Sequence, residues 1–126
     1  MIVVDASVLV KALLHDDGAR SRLGSDELHG PDLLDLEVVS ALRGLVLGRE
    51  VPEPTAVQTL SSLTGLALTR HSAAPLVPRI WELRSNLTAY DACSVALAEQ
   101  LRCDLVTADG RIARAPGLRC TVDVVS

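Results

Sequence analysis

Short apolar runs alternate along the whole chain with longer stretches in which apolar residues return every three or four positions. Met1 to Val4 is an apolar run that predicts a buried central strand. Ala6 to Leu14 predicts a helix with Val8, Leu9, Ala12 and Leu13 near one side, and Asp16 is placed to cap a second short helix running through Leu23. Leu28-His29-Gly30-Pro31 predicts a short edge strand or an extended turn. From Asp32 to Leu47 the residues Leu33, Leu36, Val39, Ala41, Leu42, Leu45 and Val46 recur at helical spacing, with Gly48 as the stop. Pro52 and Pro54 start a further helix carrying Val57, Leu60 and Leu63; Gly65 ends it before a candidate third strand, Leu66 to Thr69.

Ala74 to Arg84 is again helical, with Leu76, Ile80 and Leu83 inward and two prolines in its first turns. Thr88 opens the clearest helix, Ala89 to Leu101. Asp104 to Thr107 predicts a strand, Gly110 to Ala115 a short helix and Thr121 to Val125 the last strand. Strands alternating with helices imply a three-layer α/β/α sandwich with a mostly parallel central sheet. No repeat or linker interrupts the pattern, so residues 1–126 are expected to form one domain.

Composition sharpens this picture in three places. Hydrophobic residues make up 48% of the 126 positions but aromatics only 2%, so Leu, Val, Ala and Ile must fill the core. Trp81 is expected in that core, or with Leu76, Ile80 and Leu83 in a dimer seam. A net charge of -4 excludes a generically basic nucleic-acid binder, though not a nuclease whose active-site acids add to the negative count. Cys93, Cys103 and Cys120 are odd in number and match no zinc spacing, which suits a reduced, cytoplasmic setting. The first apolar run meets Asp5 at once and lacks a basic leader, and no segment is long and uncharged enough to span a bilayer, so no membrane association is expected.

Four acids fall at strand ends or in first helical turns: Asp5, Glu37, Asp91 and Asp109. In a parallel sheet these places gather around the crevice at the carboxyl edge. Each has a structural alternative. Asp5 is a natural N-cap, although Ser7 is available for that job. Glu37 suits a solvated helix face, Asp91 completes a capping box begun by Thr88, and Asp109 before Gly110 suits a cap or Asx-turn. Their joint placement favours convergence, and converging carboxylates call for a divalent cation. Ser7 and Thr107 are positioned to hydrogen-bond a carboxylate or a metal-bound water. Lys11, Arg84, Arg111 and Arg114 flank the acidic motifs and are candidate contacts to phosphate or to a partner's carboxylates; the alternative for each is a solvated charge. His15, His29 and His71 look isolated and receive no catalytic role.

Val3-Val4-Asp5-Ala6-Ser7, Pro31 through Glu37, Arg84 through Ala92, and Leu105 through Ala113 together resemble the PIN-domain ribonucleases, specifically the VapC toxins of type II toxin–antitoxin pairs. The resemblance covers essentially the whole chain, and Asn86-Leu87-Thr88-Ala89-Tyr90-Asp91-Ala92 is its most specific element. It implies a PIN-like fold and a Mg²⁺-dependent endoribonuclease, with Mn²⁺ as the other candidate ion. Asp5, Glu37, Asp91 and Asp109 match the family's acidic quartet, assigned to metal and catalysis. It also implies a homodimer, a structured RNA substrate and a cognate VapB-like antitoxin whose C-terminal segment lies over the active-site groove. Leu42 to Val57 is a candidate antitoxin-binding surface, because Leu45, Val46 and Leu47 are more apolar in succession than one buried face requires.

Two other phosphoryl-transfer designs fit less well. A haloacid dehalogenase-like enzyme needs a second Asp where Ser7 stands. A response-regulator receiver needs a late Lys, and Lys11 is the only lysine. A non-catalytic α/β binding domain, with all four acids acting as caps, would bind no divalent ion appreciably.

Overall fold

β1 (Ile2–Val4) is buried along its whole length because helices cover it on both faces. Its side chains alternate accordingly: Val3 joins one core cluster, Ile2 and Val4 the other. The computed structural model describes residues 1–126. Around β1 the sheet is completed by β2 (Leu28–Pro31), β3 (Leu68–His71), β4 (Asp104–Thr107) and β5 (Val122–Val124), in the order β3-β2-β1-β4-β5. Every neighbouring pair is parallel.

α1 (Ala6–Leu13), α2 (Asp17–Leu23), α3 (Leu34–Leu47) and α4 (Glu53–Thr64) cover one face. α5 (Val77–Glu82), preceded by a 3-10 turn at Ala74–Leu76, α6 (Ala89–Leu101) and α7 (Gly110–Ala113) cover the other. The three-layer α/β/α fold with a parallel sheet is therefore present. The largest fully buried side chains are aliphatic, among them Leu9, Leu34, Leu42, Leu97, Leu105 and Ile112. No helix is long and apolar enough to cross a membrane.

Several expectations need correction. Leu28 to Pro31 is no edge: β2 lies between β3 and β1, and β3 is the edge. His29 is buried with both ring nitrogens occupied. Its Nε2–H donates to Glu27 Oε1 at 2.7 Å, which leaves Nδ1 to accept from His71 Nε2 at 2.8 Å. His29 and His71 are thus partners rather than isolated residues. Pro31 is tolerated because the β1–β2 register ends at His29. Gly30 is required by a close approach, since a Cβ there would meet Leu34 Cδ2 at 2.5 Å as α3 begins.

α3 starts at Leu34 rather than Asp32 and buries the stripe Leu34, Val38, Leu42. Leu33, Leu36, Val39 and Leu47 are exposed, because the helix is apolar on more than one side and the core takes only one of them. In α4 the same thing happens to Val57, which faces solvent while Ala56, Thr59 and Leu63 pack inward. Trp81 is 65% exposed and leaves the core to Leu76 and Leu83.

Candidate active site

The strand order turns outward in both directions from β1: the chain winds through β2 and β3 on one side, then returns to lay down β4 and β5 on the other. The crevice between the carboxyl ends of β1 and β4 is the topological switch point, where α/β sheets bind ligands. Asp5 follows β1 and Asp109 follows β4, so these two acids flank the switch. α3 leaves the same edge from β2 with Glu37 in its first turn. α6 leads into β4 and therefore begins at that edge, with Asp91 in its first turn.

Asp5 is 8% exposed and is the N-cap of α1, its Oδ1 accepting from Val8 N at 3.2 Å. The same oxygen accepts from Ser7 Oγ at 2.6 Å, and Oδ2 accepts from Thr107 Oγ1. Each hydroxyl has one proton, already given to Asp5, so the 3.1 Å approach of Ser7 Oγ to Thr107 Oγ1 carries no bond of its own. As acceptors, the two hydroxyls take Ala108 N and Asp109 N, each at 2.9 Å. The capping and site readings of Asp5 coexist: the cap uses a single lone pair, and two hydroxyls aim the rest of the carboxylate at the switch.

Asp91 is less tied. Its backbone N–H donates to Thr88 Oγ1 at 3.2 Å, which is one half of a capping box; the return bond from its carboxylate to Thr88 N does not form. Asp5, Glu37 and Asp91 have no cationic partner among the ion pairs of the structure. Burial pushes the Asp5 carboxyl above the usual range, Asp109 adds to the effect, and the three hydrogen bonds only partly offset it. Burial likewise raises Glu37, reinforced by Asp5 and Asp91. Burial raises Asp91, with Asp109 and Asp5 adding and Thr88 and Arg111 opposing. Asp109 raises Asp5 and Asp91, and Asp5 raises Glu37 and Asp91, so the acids share one crevice.

Asp109 differs from them. It caps α7 by accepting from Arg111 N at 3.0 Å, and the Arg111 guanidinium grips both of its oxygens, Nη2 reaching Oδ2 at 2.6 Å. Those bonds hold the Asp109 carboxyl below the usual range. No three acids stand close enough to grip one ion at once. The donor set is oxygen-only, which suits Mg²⁺ or Mn²⁺ rather than Zn²⁺, and the net negative crevice supplies the charge such an ion needs.

The flanking cations divide. Arg111 and Arg114 both act on Asp109. Arg84 folds back, donating from Nη1 to Trp81 O at 2.9 Å and stacking 4.4 Å from the centre of the Trp81 ring. Lys11 lies in the last turn of α1, about 9 Å along the helix from Asp5, and faces Asp16 at 4.0 Å. The structure does not bring Lys11 to the crevice.

Beside the acids runs an open groove of about 590 Å³ lined by Ala6, Leu33, Leu36, Glu37, Ser40, Ala41 and Tyr90. Reading the sequence alone missed Tyr90 and the Leu33/Leu36 wall. The signal was present: Tyr90 is one of two aromatics in the chain and immediately precedes Asp91.

Comparison with known proteins bears on the family and the fold. Residues 2–118 match the PIN domain family. The ribonuclease VapC9 of Mycobacterium tuberculosis is 45% identical over 125 residues, covering 99% of this chain and 98% of that one. The ribonuclease VapC1 of the same organism is 41% identical over 128 residues, covering 98% of this chain and 96% of that one. Among solved structures, VapBC2 of Rickettsia felis, bound to a DNA fragment from its promoter, superposes with a TM-score of 0.72 at 15% identity, covering all of both chains. The chain belongs to the PIN-domain family, among its VapC ribonucleases.

Proposed function

We propose that this chain is a metal-dependent endoribonuclease toxin that hydrolyses RNA phosphodiester bonds, leaving a 5′-phosphate and a 3′-hydroxyl, and that a cognate antitoxin restrains it. The observation that carries this reading is the trio Asp5, Glu37 and Asp91, each raised by burial and by a neighbouring acid and none in an ion pair, at the switch point of the sheet. Holding one buried and two half-buried carboxylates together without an ion pair is costly, and a site that tolerates this cost is suited to a ligand that relieves it. A domain whose acids served only as caps has no use for Glu37, which caps nothing.

Asp5, Glu37, Asp91 and Asp109 would hold one or two Mg²⁺ or Mn²⁺ ions. A bound ion would lower the pKa of its water and neutralise charge on the phosphate. Asp5 is the fixed member, aimed by Ser7 and Thr107. Glu37, whose proton affinity is raised, is suited to take a proton at its carboxylate in the crevice. Arg114 and Arg111, beside Asp109, are placed to meet RNA phosphate, and Arg84 could reach it only by leaving Trp81.

The apolar groove with Glu37 in its lining suits an antitoxin segment that pairs an aliphatic side chain with a basic one. A solved toxin–antitoxin complex from Klebsiella pneumoniae, which shares the fold with a TM-score of 0.68, gives the precedent of a toxin paired with an antitoxin. A homodimer and a structured RNA complete the proposal. Shape and surface loops would select the RNA.

The test is cleavage of total RNA by wild type and by Asp5→Asn, with and without Mg²⁺. Cleavage should require both the ion and Asp5. Equal, metal-independent cleavage by the two proteins would sink the assignment.

A further inference from the structure

Arg111 treats Asp109 unlike any other pair in the molecule. Asp109 Oδ1 accepts from Arg111 N and Nε, each at 3.0 Å, while Oδ2 accepts from Nη2 at 2.6 Å and Nε at 3.2 Å. One residue two positions away therefore occupies both oxygens of the only quartet acid that has a cationic partner. The guanidinium side of the pair nevertheless lies open to water, the Arg111 side chain being 79% exposed and that of Asp109 23%.

The Arg79–Glu99 pair shows what a permanent structural clamp looks like here. Its side chains are 18% and 10% exposed, and Arg79 also donates to Gly117 O and Glu82 while Glu99 accepts from Arg119 N. That network joins α5, α6 and the loop before β5. The Arg111–Asp109 pair joins nothing beyond its own turn. An exposed ion pair is weakly held, and its bonds are within reach of any stronger competitor. A divalent ion drawn to Asp5, Glu37 and Asp91 is such a competitor, since it carries twice the charge and meets the same oxygens.

We propose that Arg111 is a built-in competitor for the divalent cation: its guanidinium occupies both oxygens of Asp109 beside the acidic cluster, and an ion that takes Asp109 as a ligand must displace it. This rests on the reading of the crevice as a divalent-ion centre. In this arrangement Arg111 sets the ion concentration at which Asp109 joins the centre, and Asp109 is the acid that exchanges partners. Arg114 supplies an internal control. It lowers Asp109 through its charge but makes no hydrogen bond to it, so removing Arg114 changes the field without opening the clamp.

The experiment titrates Mn²⁺ into the metal-free full-length chain without RNA, reading free Mn²⁺ by electron paramagnetic resonance. Circular dichroism and thermal unfolding accompany each variant. Arg111→Gln should bind Mn²⁺ about fivefold more tightly than wild type. Arg111→Lys, which keeps the charge and loses the planar fork, should fall between them, and Arg114→Gln should shift affinity less than twofold. Equal affinity in wild type and Arg111→Gln would overturn the competitor role while leaving the metal centre intact. An equal gain in Arg111→Gln and Arg114→Gln would also overturn it, because net charge alone would then explain the shift. No Mn²⁺ binding by any of the folded proteins would remove the divalent-ion reading, and the competitor role with it.

Discussion

The Thr107 hydroxyl donates to Asp5 Oδ2 across the seam between β4 and β1, joining residues 102 positions apart in the chain. Thr107 is wholly buried, and the same oxygen accepts from Asp109 N at 2.9 Å. A single side chain thus aims the acid on one side of the switch and fixes the backbone of the acid on the other.

Thr107→Val keeps the shape and removes both bonds. Two buried polar groups then lose a partner, which should cost about 1–3 kcal/mol in urea denaturation. Loss of an orienting partner at a metal-type site should also reduce RNA cleavage about 10- to 100-fold. Thr107→Ser should restore most of the cleavage; a serine variant as slow as the valine variant would show that packing, and not the hydroxyl, is what matters.

Glu37 should weaken the fold in order to serve the site. Its carboxyl is raised by burial first and by Asp5 and Asp91 next, so the folded state holds the proton more tightly than the unfolded chain does. Stability from this group therefore falls as pH rises from the ordinary glutamate range through the raised folded value, and stays low above it. Glu37→Gln should raise Tm by about 2–4 °C near neutral pH, the scale of relief expected when a strained functional site is neutralised. The gain should shrink at acidic pH, where the wild-type side chain is itself protonated. Thermal unfolding across pH reads this, and a gain independent of pH would contradict it. Cleavage should be lost in the same variant.

How much of this was legible in the sequence differs from one element to the next. α6 and β4 occupy the residues expected of them, because Thr88 is an unambiguous cap and the Asp104 to Thr107 run offers only one pattern. α3 was placed correctly, but its buried stripe was not, since a helix with leucines at 33, 34, 36, 42, 45 and 47 does not declare which of them faces the sheet. β2 reads as an edge strand or an extended turn from its own four residues, because its place between β3 and β1 depends on pairing with Leu68–His71, some 40 residues away. The four acids could be located from strand ends alone. The clamp of Arg111 on Asp109 could not, because the choice of side-chain partner is settled by geometry that spacing does not encode.

Acid lability should come from the other side of the molecule. Burial alone would raise the Glu99 carboxyl, but the Arg79 hydrogen bonds and the Arg119 N–H outweigh it and hold Glu99 below the usual range. The sign here is opposite to that of Glu37: the stabilisation is fully present above the ordinary glutamate value and is lost as pH falls through the lowered folded value. Glu99→Gln should therefore cost about 2 kcal/mol near neutral pH, between the worth of an exposed pair and that of a fully buried one. It should also flatten the loss of stability on acidification. Chemical denaturation at several pH values checks both, and an unchanged acid limb would assign the lability elsewhere.

Trp81 provides the last test, because the only tryptophan in the chain reports its own surroundings. It is 65% exposed, and its ring is covered on one side by the Arg84 guanidinium at 4.4 Å. A cation–π contact at such a site is worth about 0.5–1 kcal/mol, so Trp81→Ala should cost no more than about 1 kcal/mol. Leu97→Ala, at a fully buried position of α6, should cost about 2–5 kcal/mol. In dilute solution the emission of Trp81 should match a solvated indole and be quenched readily by iodide. A second copy docking on α5 would shift that emission to the blue as concentration rises, in step with a doubling of mass in sedimentation. A concentration-dependent doubling of mass with no change in emission would instead place the dimer seam away from Trp81 and the Leu76/Ile80/Leu83 ridge.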